Sequence, residues 1–344
     1  MVSTTSQTRQ QPLVSVVTPV YNTEKYLAEC IESVLAQSYD NWEYVIINNC
    51  STDRSLEIAQ RYAAQDSRIT IHNNTQFLSQ MQNWNHAMRQ ISPDSRYCKV
   101  VHADDWLFPD CIAHMVTLAE QYPSVGIVGA YRLDEVEVDM DGLPYPSPCV
   151  SGRDMCRRAL LDGHYMFGSP TSTLLRSDLV RQRDPFYDEA KIHADTAVCF
   201  ALLQESDFGF VHQVLTFTRR HNESVTSIMG RFRTTRISRL EIVKEYGSAY
   251  LSPQEYKQTL QKHIDAYYYF LARKALEFQN KEFWDYHKRE LARLGIEFDN
   301  AHLMKCIFYE SLNFRDTFKT VKRNLRRRGA AAPKTGRRAL VEKG

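Results

Sequence analysis

The sequence predicts an α/β fold: a mostly parallel sheet flanked by helices, followed by a C-terminal helical extension. Three observations predict it. Between residues 14 and 101, short β-rich runs alternate with stretches of helical periodicity. The polar clusters fall after the ends of those runs, where open α/β sheets bind ligands. Beyond about residue 230 the pattern turns helical and rich in Tyr, Lys and Glu, through Tyr267–Phe270 and on to about residue 325.

Val14–Thr18 is the first strand, closed by a turn at Pro19–Asn22. Leu27, Ile31, Val34 and Leu35 then recur at helical spacing, with Asn22 or Thr23 as the expected N-cap. Glu43–Ile47 reads as a buried strand, Asn48–Asp53 as a polar loop, and Ser55–Ala64 as a helix with Leu56, Ala59 and Tyr62 inward. Arg68–Ile71 is a third strand, residues 79–90 a helix and Tyr97–Val101 a fourth strand. Strands joined by helices of this length imply right-handed βαβ units and a parallel sheet. Gly126–Ala130 suggests a further strand, and residues 139–152, rich in Pro and Gly, a mobile loop.

Composition narrows the function classes. The chain has 344 residues, is 43% hydrophobic and 24% charged, and carries a net charge of only +2, which fits a folded protein of one large or two smaller domains. The charge is uneven: residues 315–344 hold eleven Lys/Arg against Asp316 and Glu342. Such a stretch is either a solvated, partly disordered terminus or an attraction for anionic lipid or nucleic acid. Without interleaved aromatics or a recognised motif it does not predict nucleic-acid binding. The eight cysteines show no C-x-x-C pair or repeated spacing, against a zinc site or a secreted disulfide framework. Residues 1–12 lack the apolar core of a signal peptide and no apolar run is long enough to span a bilayer, so the expected location is cytoplasmic.

Asp104 and Asp105 follow an apolar strand and precede Trp106. Adjacent carboxylates repel unless a cation or donor-rich ligand neutralises them, and a hard divalent ion bridging diphosphate oxygens would do so. The plain alternative is an acidic cap for a helix beginning near Pro109. Asp195, before Thr196–Phe200, has the same alternative. Arg219, Arg220 and His221 could reach a diphosphate after a loop closes, Arg in particular by bidentate contact, or could be a surface basic cluster. Tyr267–Phe270 could stack on sugars or be core at helical spacing. Pro19–Asn22 contains no glycine, against a phosphate loop of the pyrophosphorylase, dinucleotide or P-loop kinds.

Several ordered motifs together resemble glycosyltransferase family 2: Val14–Asn22, Tyr26-Leu27, Ile31–Ser38, Asn49–Asp53, Asn83–Ala87, His102–Asp105, Phe186–Asp195 and Arg219–Thr226. The resemblance covers roughly residues 13–228, and is closest to non-processive bacterial polysaccharide-biosynthesis members. It implies a GT-A, Rossmann-like fold over residues 13–230 and does not extend over residues 231–344; the sequence pattern itself gives a disordered tail at 1–12, a helical extension at 231–325 and a basic flexible tail at 326–344. The resemblance also implies a nucleotide-diphosphate sugar donor, UDP-linked first among them, a divalent Mn²⁺ or Mg²⁺ ion, and inversion by single displacement. On this resemblance Pro19, Tyr21 and Asn22 would line the nucleoside pocket, and Asn49 and Asp53 would lie in the loop that contacts the base. Asn83 and Arg219 with His221 would serve the nucleotide-sugar site. Asp104 would hold ribose or metal, Asp105 metal, and Asp195 would be the general base. Gly168–Thr171 corresponds to the acceptor-side segment.

The chain departs from the family pattern at three places. Asn48 and Asn49 stand where acids are common, His102 replaces the first acid of the D-x-D-D pattern, and Ala194 stands where many members have Glu. Asp104, Asp105 and Asp195 remain, which keeps an active enzyme ahead of a catalytically silent nucleotide- or saccharide-binding protein of the same fold. The Gln-x-x-Arg-Trp motif of processive members is absent. The expected reaction is therefore transfer of one sugar to a saccharide or lipid-linked acceptor, with peripheral membrane contact through the basic C-terminus.

Overall fold

A computed structural model describes residues 11–163, 166–220 and 232–312. The chain divides into two compact units, one of residues 1–227 with 246–253, the other of residues 228–245 with 254–344. Residues 246–253, which the sequence pattern assigns to the helical extension, thus cluster with the first unit.

Among the described residues, the first unit is built on one ten-stranded mixed sheet. Strand β1 (Val14–Val20) is buried along its whole length, and its β-branched side chains suit the interior of a sheet covered on both faces. It pairs in parallel with β2 (Trp42–Asn48) on one side and β4 (Tyr97–Val100) on the other, and β2 pairs in parallel with β3 (Ile69–Asn73). Helices α1 (Leu27–Leu35), α2 (Ser55–Ala63) and α3 (Gln80–Arg89) make the crossovers. Leu27, Cys30, Ile31 and Val34 of α1 face the core, each at the spacing that puts it on one side of the helix. Removing such a side chain, as in Ile31→Ala, costs about 2–5 kcal/mol.

Beyond β4 the sheet turns mixed. The short β5 (Trp106–Leu107) and helix α4 (Cys111–Gln121) lead to β6 (Val125–Asp134), with the hairpin strand β7 (Glu137–Asp139) and β8 (Cys149–Val150) after it. Helix α5 (Gly152–Asp162), strand β9 (Thr173–Arg176), helices α6 (Ser177–Arg181) and α7 (Ala194–Leu202), and β10 (Asp207–Thr218) complete the unit. The order is β3-β2-β1-β4-β9-β6-β10-β5, with β9 antiparallel to both neighbours.

Residues 139–152, expected as a mobile loop, are tied at several points. β8 pairs with β10, and the Ser147 amide donates to His212 Nε2 at 3.0 Å. The N-cap expectation for α1 fails. The helix begins at Leu27, and Asn22, at φ +50, is spent on the loop after β2. Of the expected N-terminal tail, the carbonyls of Gln11 and Pro12 are held by Asn41 and Tyr39; residues 1–10 lie outside the described residues.

The second unit is helical in its described part: α8 (Thr235–Tyr250, of which residues 235–245 belong here), α9 (Pro253–Leu276), α10 (Lys281–Arg293) and α11 (Asn300–Leu312). Its core is Ile237, Leu240, Tyr267, Leu271, Phe283 and Leu291. Of the aromatic run, Tyr267 and Tyr268 are buried and Tyr269 is 41% exposed, so the run is divided between core and surface. His287 is fully buried, its Nδ1 2.6 Å from the Tyr267 hydroxyl, and burial lowers its pKa to about 4.

Candidate active site

The acidic pair sits in a tight turn directly after β4, closed by the Asp105 amide donating to the His102 carbonyl at 3.0 Å. Neither carboxylate caps a helix. Asp110 occupies the N-cap position of α4, which removes the helix-cap alternative for Asp104 and Asp105. The chain then runs into β5, which pairs antiparallel with the end of β10: Leu107 opposite Thr216, Trp106 opposite Phe217. Trp106 and Phe217 stack with centroids 3.6 Å apart. This register delivers Arg219 to the pair. Its amide donates to Asp105 Oδ1 at 3.0 Å, and its Nε to the Asp104 carbonyl at 3.2 Å.

The other oxygen of Asp105 accepts from the Thr171 hydroxyl at 2.7 Å, and Thr171 Oγ1 in turn accepts from the His102 amide at 3.1 Å. Thr171 belongs to a short turn (residues 170–172) that Lys99 holds from below. The Lys99 ammonium is fully buried and donates to the carbonyls of Thr171 and Thr173 at 2.5 and 3.1 Å. Gly168, which opens this segment, has φ +65, and a Cβ there would meet Met140 and Ser172 at 2.6 Å. Only glycine fits that approach.

Asp105 is 3% exposed. Burial pushes its carboxyl up to about 6. The His102 charge pulls it back, the neighbouring Asp104 raises it further, and the bonds from Thr171 and Arg219 lower it. One ligand atom each from His102, Asp104 and Asp105 lies within 4.8 Å of the others. Two carboxylates and one imidazole suit a hard divalent ion. A buried carboxylate raised by its acidic neighbour is a group that a cation would stabilise. The buried Nε2 of His102 has no hydrogen-bond partner among the described residues. The residues present therefore fit such an ion.

The nucleoside-side candidates gather after β1 and β2. Asn22 Oδ1 accepts from the Thr52 amide at 2.8 Å, and its own amide donates to Ser51 Oγ at 3.1 Å. Asp53 accepts from the amides of Glu24 and Ser55, both at 2.9 Å. Burial works to raise the Asp53 carboxyl, but these bonds and the Ser55 hydroxyl prevail and hold it below the usual range. Asn49 is also spent on the scaffold: its Nδ2 donates to the Leu78 carbonyl, and its Oδ1 accepts from Leu78 N and Asn74 Nδ2, each at 2.9 Å. Asn83 Oδ1 accepts from Asn74 at 2.9 Å. Pro19 lies inside β1 opposite Ile47. Tyr21 is different: it is 46% exposed and meets Phe77, 60% exposed, edge to face at 4.9 Å.

These features accord with what is known of related chains. Residues 15–183 match the model of glycosyl transferase family 2. GlyG of Streptococcus pneumoniae, a glycosyltransferase, is 30% identical over 234 residues, 62% of this chain and 72% of GlyG. The chain belongs to glycosyltransferase family 2. EpsE of Bacillus subtilis, designated a glycosyltransferase, is 34% identical over 157 residues, and the match spans 44% of this chain and 56% of EpsE. S. aureus TarS in complex with UDP-GlcNAc superposes with a TM-score of 0.59 at 17% identity, over 91% of each chain. The mannosyltransferase PcManGT from Pyrobaculum calidifontis, in complex with GDP-Man and Mn2+, gives 0.54 at 15% identity, over 92% of this chain and 85% of that one. At these identities the structural likeness establishes the GT-A fold alone.

In this family 2 chain, Asp195 lies in the first turn of α7, with His193 at the N-cap, so it is not the cap. Burial raises its carboxyl above the usual range, while the charges of His193 and His102 work against that rise. His102 thus acts electrostatically on both Asp105 and Asp195. Trp84 of α3 packs on the His102 ring at 4.6 Å and on Tyr187 at 5.5 Å. Asn85 fixes Tyr187 by bonding both its amide and its carbonyl, at 2.7 and 2.9 Å.

The basic residues after β10 divide. The Arg219 guanidinium pairs with Glu29 of α1 at 2.5 Å and covers the Tyr26 ring at 4.6 Å. Arg220 is held by Asp134. His221 lies outside the described residues. Sequence reasoning passed over Lys99, Glu29 and Phe77, and gave Thr171 no link to Asp105. Lys99 left a signal, a lone charge inside the buried run Tyr97–Val101; the others left none.

Proposed function

We propose that this chain is an inverting glycosyltransferase. It moves a single sugar from a nucleotide-diphosphate sugar, UDP-linked first among donors, to a hydroxyl of a saccharide or lipid-linked saccharide. The observation that carries this reading is the clustering of His102, Asp104 and Asp105 after β4. The donors seen with TarS and PcManGT support a nucleotide-sugar ligand.

Asp105 and Asp104, with His102, would hold a divalent ion, Mn²⁺ or Mg²⁺, which supplies positive charge to the departing diphosphate. Thr171 and the Arg219 amide fix the Asp105 carboxylate from both sides, so little reorganisation is needed when that charge develops. Tyr21, half-exposed beside Phe77, offers a ring face to the base. Asn22, Asn49, Asp53 and Asn83 shape the nucleoside side by fixing the loops around it.

Asp195 accepts the acceptor hydroxyl proton as the new bond forms. A carboxyl raised by burial is a stronger base than one in water, which suits that task. A lipid-linked acceptor would place the protein at the inner membrane face, with the basic residues 315–344 toward anionic lipid. A panel of UDP-, GDP- and dTDP-sugars, assayed for Mn²⁺-dependent release of nucleotide, tests the reading. Turnover of one donor class supports it, and no binding or turnover of any overturns it.

A further inference from the structure

Residues 74–79 join β3 to α3 and are fixed at both ends. The Asn74 amide donates to the Asn48 carbonyl at 2.9 Å. Ser79 closes a capping box on α3, its amide donating to Gln82 Oε1 at 3.0 Å. Between these points the buried side chain of Asn49 grips Leu78 by its carbonyl and its amide, both at 2.9 Å. The adjoining Phe77 is nonetheless 60% exposed. A large apolar ring on a loose loop would need no explanation, but a backbone held this firmly presents its ring at a fixed place.

That place is the rim of the nucleoside side. β1, β2 and β3 run in parallel, so Tyr21, directly after β1, and Phe77, in the loop after β3, stand at the same carboxyl edge of the sheet. Open α/β sheets take their ligands at that edge. The two rings meet edge to face with centroids 4.9 Å apart, and both stay open to water. They form an apolar corner, in which a flat heteroaromatic base can lie on one ring and turn its edge to the other. A diphosphate, charged throughout, gains nothing from such a corner. Asn49, by contrast, has both polar atoms engaged, by Leu78 and Asn74, and reading a base edge would cost it one of those bonds.

We propose that Phe77 is a second stacking wall for the nucleobase of the donor, and that Asn49 is a positioning residue that sets this wall instead of touching the base. The inference rests on the nucleotide-sugar reading above and deepens it.

The test is isothermal titration of the full chain with UDP, GDP and dTDP in the presence of Mn²⁺. At least one nucleotide should bind the wild type. Phe77→Ala should weaken that nucleotide about tenfold, the scale of one base–aromatic stack. Phe77→Leu, which keeps apolar bulk without a π-face, should lose as much, and Phe77→Tyr should bind like the wild type. Asn49→Ala should also weaken the nucleotide, and the double variant with Phe77→Ala should bind no worse than Phe77→Ala alone. Should Asn49→Ala fail to fold, Asn49→Asp, which turns the bond to the Leu78 carbonyl into a repulsion, is read in the same cycle. Wild-type affinity in Phe77→Ala or Phe77→Leu overturns the stacking role. No loss in the Asn49 variant, or losses that add, overturns the positioning role. Nucleotide binding indifferent to Phe77 overturns this inference alone, whereas a wild type that binds no nucleotide overturns the enzymatic reading and this inference with it.

Discussion

The Thr171 hydroxyl donates to Asp105 Oδ2 at 2.7 Å and accepts from the His102 amide at 3.1 Å. A single side chain thus ties both ends of the His102–Asp105 turn to the segment that enters β9. Lys99 holds the same segment from beneath through two carbonyls. The acidic pair is positioned by a buried polar network, and such networks are costly to leave half satisfied.

Replacing Thr171 by Val keeps the shape and deletes both bonds. The expected result is a loss of about 1–3 kcal/mol in stability, because the His102 amide and Asp105 lose buried partners. Donor turnover should fall about tenfold or more, and Thr171→Ser should restore most of it. Urea unfolding and steady-state hydrolysis of the two variants check this.

Asp195→Asn removes the proposed base without changing size. Transfer to acceptor should drop by about 10²–10⁴. Donor affinity, measured by isothermal titration with the nucleotide-sugar, should stay within about threefold because the substitution leaves the donor-binding loops intact. Full transfer activity would remove Asp195 from the mechanism and leave the donor site standing.

Tyr21→Ala should change stability by no more than about 0.5 kcal/mol, since the ring is exposed. The donor KM should rise about tenfold, the scale of losing one base–aromatic stack. Tyr21→Phe should behave like the wild type. Kinetics at varied donor concentration separates these outcomes.

His287 supplies a pH signature. Its folded pKa, near 4, lies below the ordinary histidine value of 6.5. Above pH 6.5 both folded and unfolded forms are neutral and nothing changes. Below it the unfolded chain takes up a proton that the folded one refuses, so stability falls from about pH 6.5 down to about 4. Between pH 7 and 5 the wild type should lose about 2 kcal/mol that His287→Gln does not lose. Chemical unfolding of both proteins at the two pH values checks it.

The four parallel strands were legible because each is a short β-rich run bounded by polar turns, as in Val14–Val20 and Trp42–Asn48. The acidic pair was legible by its place after the fourth strand. The geometry that positions it was not. The bond between Arg219 and Asp105 depends on β5 pairing with β10, more than a hundred residues away in sequence, and no local periodicity announces such a pairing. Asn22 misled for a related reason. An Asn before a helical stretch is a cap by local rules, but here the loop after β2 competes for the same oxygen and takes it. The Pro- and Gly-rich residues 139–152 read as loop, while β8 and the bond from Ser147 to His212 come from long-range partners.

Asp105, with Asp104 and His102, is proposed to make donor chemistry depend on a divalent ion. Release of nucleotide from the preferred nucleotide-sugar should therefore be followed for the wild type and Asp105→Asn, across a titration of Mn²⁺ and after chelation. Saturable activation of the wild type by Mn²⁺ is expected, with loss of that activity on chelation and a fall of about a hundredfold or more in the variant at every metal concentration. Equal, metal-independent turnover by both proteins would contradict it.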